Sequence, residues 1–180
     1  MRSYKITGIV LKRKNIGEAD RMLTVLTQDF GKIEIKAVGV RRVPSRRASH
    51  VELLNFSELS LYKGKGYPIL TEATTIENFS VIKEDLQKVG FAYHICELVD
   101  GLCPENQENN KVFGLLYRML CSLAKEENIT SILREFEINL LTVLGYVPES
   151  YFNPSINTAF LIESILERKL KSRQIIPHLS

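Results

Sequence analysis

The chain has no tryptophan, and its three cysteines, Cys96, Cys103 and Cys121, form no C-x-x-C pair. A disulfide framework and a cysteine metal site are both disfavoured, and buried thiols in a reducing compartment are expected. Cys96 and Cys103 fall on one face of one expected helix but about 10 Å apart along its axis, too far to bridge. The histidines, His50, His94 and His178, show neither H-x-x-x-H nor H-E-x-x-H spacing, so satisfied or exposed imidazoles are expected rather than ligands. No P-loop, G-x-G-x-x-G or G-x-S-x-G occurs, and Gly64-Lys65-Gly66 reads as a hairpin turn. Glu18 and Asp20, at the mouth of a strand, read as ion-pair partners of Arg21 or Lys32, and no carboxylate cluster suits Mg²⁺. Catalysis therefore has no candidate residues. No window reaches about 18 apolar residues, and the opening MRSYKITGIVLKRKN lacks the apolar run of a signal peptide. A cytoplasmic protein, not a membrane one, is expected.

What is present is a chain of 180 residues, 44% hydrophobic and 25% charged, which is ordinary for a folded protein and long enough for one large or two small domains. The net charge of +3 hides a gradient. Residues 1–50 hold 12 Lys/Arg against 4 Asp/Glu, whereas residues 51–80 sum to −2 and residues 81–180 to −3. Positive charge confined to the first quarter suggests an anionic partner there, nucleic acid before membrane because no amphipathic helix accompanies it.

Five short segments with strand patterns fill the first 80 residues. Tyr4–Lys14 is rich in β-branched residues, and Asp20–Thr27 is apolar on both faces. In Ile33–Val38, Ile33, Ile35 and Ala37 alternate with Glu34, Lys36 and Val38. Phe56–Lys63 alternates likewise, and Ile69–Ile76 is a weaker fifth. Regular turn signals favour a small closed barrel, of oligonucleotide-binding or SH3-like type, since periodicity does not separate the two. From about Ser80 the period becomes helical. Leu86, Val89, Tyr93 and Cys96 mark a first helix; 110–127 reads as a second, with Leu115, Leu116 and Leu123. The third is capped by Thr130 or Ser131 and ends at Gly145, and 157–171 makes the fourth, through Phe160, Leu161, Ile165 and Leu170. The fold expected is α+β and multidomain: a five-stranded barrel over 1–79 and an all-α bundle over 80–180, joined without a Gly/Ser or Pro-rich linker.

Between the third and fourth strands, residues 39–50 carry Arg41, Arg42, Arg46 and Arg47 and read as a mobile polar loop. Guanidinium groups fork onto phosphates, and phosphate neutralisation releases counterions, so this arm suits sequence-independent binding of nucleic acid. Lys12, Arg13, Lys14, Arg21, Lys32, Lys63 and Lys65 join it as candidate phosphate contacts. Tyr62, on the polar face of its strand, is the leading candidate for stacking on bases, with Tyr67, Phe30 and Tyr4 behind it. The competing reading is a solvated loop on a protein-interaction adaptor with no direct nucleic-acid role.

Gly17-Glu18-Ala19-Asp20-Arg21, Leu26-Thr27, Phe30-Gly31-Lys32 and Gly39-Val40-Arg41-Arg42, with Ser45-Arg46 behind them, resemble the signature of the RecO family of bacterial recombination mediators. Leu61-Tyr62-Lys63-Gly64, Lys83-Glu84-Asp85-Leu86, Leu144-Gly145-Tyr146-Val147-Pro148 and Leu170-Lys171-Ser172-Arg173 extend the likeness over nearly the whole chain. The resemblance implies an oligonucleotide-binding barrel followed by a helical domain. It also implies binding of single- and double-stranded DNA, annealing of complementary strands, and loading of RecA with RecR onto strands coated by single-strand-binding protein. No enzymatic activity and no cofactor are implied. Many members carry two C-x-x-C pairs as a zinc site just after L-G-Y-x-P; here Glu149–Asn157 contains no cysteine, so no metal is expected. The family's helical domain receives the acidic, apolar tail of single-strand-binding protein, for which Lys171 and Arg173, then Arg118 and Arg134, are the candidates here.

Overall fold

Strand alternation is clearest at β3 (Gly31–Ala37) of the computed structural model, which describes residues 3–125, 128–148, 156–174 and 176. Ile33, Ile35 and Ala37 are buried while Glu34 and Lys36 are half-buried, as a period of two requires. β3 begins two residues before the apolar pattern does because Gly31 already pairs with Thr27 of β2 (Asp20–Thr27). β1 (Ser3–Ile16) pairs antiparallel with β2 and with β4 (Phe56–Tyr62), and β5 (Ile69–Glu77) runs along β4. A parallel pairing of Lys36 with Ile69 joins β3 to β5 and closes a barrel of order β1-β2-β3-β5-β4. A register shift between Val10 and Lys12 bends β1 where it pairs with β2. This is the five-stranded oligonucleotide-binding arrangement.

Ile6, Val10, Leu23, Val25, Ile35, Leu59, Leu61 and Leu70 fill the barrel, together with Val40 and Val51 from the connection between β3 and β4. These two valines correct the expectation of a mobile arginine loop. Each is 0% exposed, and burying such a side chain is worth about 1.5–3 kcal/mol, so the connection is pinned at both ends. It closes with a 3-10 turn at Ala48–Val51.

The chain divides into two compact units: one runs to Asn78 and includes Pro104–Asn110, the other comprises Phe79–Cys103 and the residues from Lys111 onward. The helical unit contains α1 (Ser80–Lys83), α2 (Leu86–Leu102), all of α3 (Asn110–Lys125) but its first residue, α4 (Ile129–Val143) and α5 (Thr158–Leu166). Asp85 caps α2, accepting from the amides of Gln87 and Lys88. α2 packs against α4, α5 and a 3-10 turn at Ser172–Gln174. Its buried residues, among them Phe91, Ile95, Cys96, Leu98 and Val99, spread over most of its circumference, so the expected stripe is corrected: Leu86 and Tyr93 are 88% and 48% exposed. Cys96 and Cys103 are buried free thiols and Cys121 is half-buried; burial pushes the Cys96 thiol up to about 12. Glu126, Glu127 and His178 lie outside the described residues, as does 149–155 of the cysteine-free span.

Two helix boundaries differ from expectation. α4 starts at Ile129 with Asn128 at its N-cap, ahead of Thr130 and Ser131. α5 stops at Leu166 rather than near Lys171, with Glu167 at φ 53°, and Phe160 is 72% exposed while Ile162 is buried. The early stop follows from Glu97 on α2. Its carboxylate accepts from the amides of Lys171 and Ser172, from the Ser172 hydroxyl and from Arg168, drawing this segment off the helical path. Burial opposes ionisation of Glu97, but the Ser172 and Arg168 hydrogen bonds, with those amides, hold its carboxyl down to about 2. The folded value lies below the ordinary 4.5, so the stabilisation is complete above that range and is lost as pH falls towards about 2. Acid titration followed by circular dichroism should show helical signal declining through this window, and Glu97→Gln should remove that part of the dependence. An unchanged acid limb in the variant would exclude Glu97.

Candidate nucleic-acid interface

Gly39 opens the arginine-bearing connection at φ 67°, and its amide donates to Asp20 Oδ1 at 2.8 Å. That hydrogen bond, with Lys36 at 3.4 Å, holds the Asp20 carboxyl below the usual carboxylate range. Asp20 therefore fastens the arm and pairs with Lys36, not with Arg21 or Lys32. The Arg41 amide donates to the carbonyl of Ala19, and Arg41 Nη1 to that of Gly17 at 3.0 Å, leaving an exposed guanidinium tethered at one corner.

The four arginines of the arm do different things. Arg47 Nη1 donates to the Leu70 carbonyl at 2.6 Å and Nη2 to that of Val38 at 2.8 Å, so its fork clasps the arm to β5. Expected as a phosphate contact, its guanidinium is engaged with two main-chain carbonyls. Arg42 and Arg46 are exposed, and their guanidinium groups make no hydrogen bond or close ion pair among the described residues, although the Arg42 charge is felt at Asp20. With Arg47, Ser45, His50 and the Thr71–Thr74 stretch of β5, they line an open cleft of about 760 Å³. His50 is satisfied: its Nδ1 accepts from the Thr75 amide at 3.2 Å, and the Thr75 hydroxyl lies 2.9 Å away.

The structure thins the remaining candidates. Arg13 pairs with Glu52 at 2.6 Å, and Arg21 reaches Glu52 at 3.7 Å and Asn15 at 3.2 Å. Glu52, at the end of the 3-10 turn, was not marked by any sequence motif, yet it occupies two expected phosphate contacts. Lys32 is 7% exposed and so is withdrawn from solvent and from any polyanion, a correction that burial alone dictates. Lys12, Lys14, Lys63 and Lys65 are exposed, whereas Tyr62 is half-buried at the end of β4.

Among the helical-unit candidates, Arg134 and Arg173 line one cleft of about 470 Å³ with Leu133, Ile156 and Ala159. Arg134 Nη2 donates to the Ile156 carbonyl at 3.1 Å. Lys171 and Arg118 are exposed and do not line that cleft. Among the described residues no group of three or more His, Cys, Asp or Glu could hold a metal ion, and no helix is long and apolar enough to cross a membrane.

The strand order defines an oligonucleotide-binding type of barrel, and exposed guanidinium groups beside an open cleft suit a polyanion. Residues 1–79 match the family model "Recombination protein O N terminal", and residues 83–153 match "Recombination protein O C terminal". The chain belongs to the RecO family. It is similar to "DNA repair protein RecO" of Roseiflexus sp. (strain RS-1), 37% identical over 150 residues, which are 83% of this chain and 53% of that protein. Proteins of the same description from Dehalococcoides mccartyi (strain CBDB1) and Acetivibrio thermocellus are 39% and 37% identical over 146 and 149 residues, covering 81% and 82% of this chain and 58% and 59% of theirs. The chain thus spans between half and two thirds of the length of these curated relatives.

Proposed function

We propose that the protein is a non-enzymatic, cytoplasmic DNA-binding recombination mediator. It binds single- and double-stranded DNA through the barrel, anneals complementary strands, and acts with RecR to load RecA onto strands coated by single-strand-binding protein. One observation carries the DNA-binding reading: the Arg42 and Arg46 guanidinium groups stand exposed, with no hydrogen bond or close ion pair among the described residues, on one cleft of an oligonucleotide-binding barrel, and Arg41 on the same connection is exposed as well. Cations placed this way screen the repulsion between two phosphate backbones, and annealing then needs no nucleotide hydrolysis. In the helical unit, the cleft with Arg134 and Arg173 over apolar Leu133, Ile156 and Ala159 suits the acidic, apolar tail of single-strand-binding protein.

The test is fluorescence anisotropy with a mixed-sequence single-stranded oligonucleotide across a salt series. Replacing Arg41, Arg42 and Arg46 together by Ala should reduce the slope of log affinity against log salt by about 2, at about 0.7 for each phosphate no longer neutralised. Arg47→Ala should leave the slope in place and lower stability instead, because its donors are engaged with carbonyls. An unchanged slope in the triple variant would remove the arm from the mechanism. Failure of the wild type to bind oligonucleotide at low salt would leave the adaptor reading.

A further inference from the structure

Tyr4, Phe30 and Tyr67, which the sequence offers as base-stacking platforms, line one cleft of about 700 Å³ on the barrel unit, and it shares no residue with the arginine cleft. Tyr4 and Phe30 meet edge to face with centroids 5.9 Å apart, while Phe30 and Tyr67 are 47% and 54% exposed. The polar wall is acidic: Asp29, Glu34, Glu105 and Glu108 line it, and among the described lining residues there is no lysine or arginine. Glu105 and Glu108 come from the 104–110 segment, which the barrel unit holds by the Asn106 amide donating to the Lys32 carbonyl at 2.8 Å. The negative field registers on Tyr67. Its phenol is raised above the ordinary value by the Glu34 charge, by a hydrogen bond with Glu34, and further by burial and Glu105.

Such a cleft repels the phosphates that must accompany any stacked base. Exposed aromatic faces beside carboxylates instead favour a cation, which gains from the ring quadrupole and the negative charges together. We propose that this cleft is a docking site for a segment of a partner protein that presents arginine or lysine side chains, each seated against the Tyr4, Phe30 and Tyr67 rings and paired with the surrounding carboxylates. Arginine fits best, since its planar group both stacks on rings and forks onto carboxylates. The protein then carries two faces of opposite preference on one barrel, a cationic one and a cation-accepting one.

The probe is the peptide acetyl-Gly-Arg-Gly-Arg-Gly-amide, compared with the same peptide carrying citrulline, which keeps the shape and removes the charge. Titrated into the full chain, the arginine peptide should shift the ring resonances of Tyr4, Phe30 and Tyr67. The citrulline peptide should bind at least about tenfold more weakly. A Glu34→Gln/Glu105→Gln variant with an unchanged circular dichroism spectrum should show a similar loss while retaining oligonucleotide affinity, which separates this site from the arm. Equal binding of the two peptides, or arginine-peptide binding that survives the double variant, would overturn the proposal. So would self-association abolished both by Glu34→Gln/Glu105→Gln and by Arg42→Ala/Arg46→Ala, which would make the arm of a second copy the occupant.

Discussion

Gly31→Ala should destabilise the barrel unit by about 3 kcal/mol, the combined effect of a left-handed backbone and an overpacked neighbour. Gly31 ends the Gln28-Asp29-Phe30-Gly31 turn at φ 67°, where an L side chain costs about 1–2 kcal/mol. A Cβ there would also stand 1.9 Å from the carbonyl oxygen of Gln107 and 2.5 Å from its carbon, both backbone atoms. The turn has no freedom to yield, because the Thr27 hydroxyl donates to the Gly31 carbonyl at 2.8 Å and accepts from the Phe30 amide at 3.0 Å. The 104–110 segment must therefore move, breaking the Asn106 hydrogen bond and the parallel backbone β-bridge between residues Lys32 and Glu105. Gly17→Ala is the matched control: its φ is 53°, but nothing lies within 4 Å of the added carbon, so it should lose only the backbone part. Denaturant midpoints of the two variants at constant m give the difference. Equal losses would mean that the segment is not seated on the turn, and the acidic wall of the aromatic cleft would lose its anchor.

The two glycines also mark what a sequence conveys. Both sit at turns that Gly-containing tetrapeptides signal, yet Gln107, which separates their fates, lies 76 residues from Gly31 in the chain. β3 is legible because Ile33, Ile35 and Ala37 declare a period of two, whereas β2, apolar on both faces, is bounded by the turn residues on either side of Asp20–Thr27. The closing pair Lys36–Ile69 was not legible, since a single parallel bridge leaves no pattern. Helix α2 hid its orientation because it is apolar nearly all round, so a stripe drawn through Leu86 and Tyr93 looked as good as the buried one. The end of α5 depends on Glu97, distant in sequence, taking the amides of Lys171 and Ser172.

The arm was legible as a charge cluster and illegible as a set of roles. Arg42, Arg46 and Arg47 are chemically identical, and only the positions of the Leu70 and Val38 carbonyls make one of them structural. Likewise Arg13 and Arg21 are withdrawn by one glutamate, Glu52, whose neighbours Val51 and Leu53 give no hint of it. The aromatic residues were found, but the four carboxylates around them come from Asp29, Glu34 and the distant 104–110 segment. Their sum reverses the partner that the aromatic residues alone suggest.

Removing one member of the His94–Glu137 pair should cost about 3–5 kcal/mol, more than removing both. His94 is 1% exposed and Glu137 7% exposed, and His94 Nε2 lies 2.9 Å from Glu137 Oε1. The second Glu137 oxygen accepts from the Thr158 hydroxyl, while His94 Nδ1 lies 2.8 Å from Ser172 Oγ. Ser172 has one hydroxyl hydrogen, and the Glu97 carboxylate at 2.6 Å takes it, so Nδ1 must donate to the serine oxygen. The chain Glu97, Ser172, His94, Glu137, Thr158 thereby ties α2, α4, the start of α5 and the last 3-10 turn into one polar core. In Glu137→Ala the imidazole and the Thr158 hydroxyl lose a buried hydrogen-bond partner together, and each orphaned group costs about 1–3 kcal/mol. In His94→Phe the buried Glu137 oxygen loses its imidazole partner. The double variant His94→Phe/Glu137→Leu leaves Thr158 to satisfy, keeps the Ser172 hydroxyl on Glu97 although it loses the imidazole, and fills the space with apolar atoms, so it should be less destabilised than Glu137→Ala. A double-mutant cycle on denaturant midpoints measures the coupling directly. Additive losses would show that the two side chains act independently and that apolar packing alone holds the helical unit together.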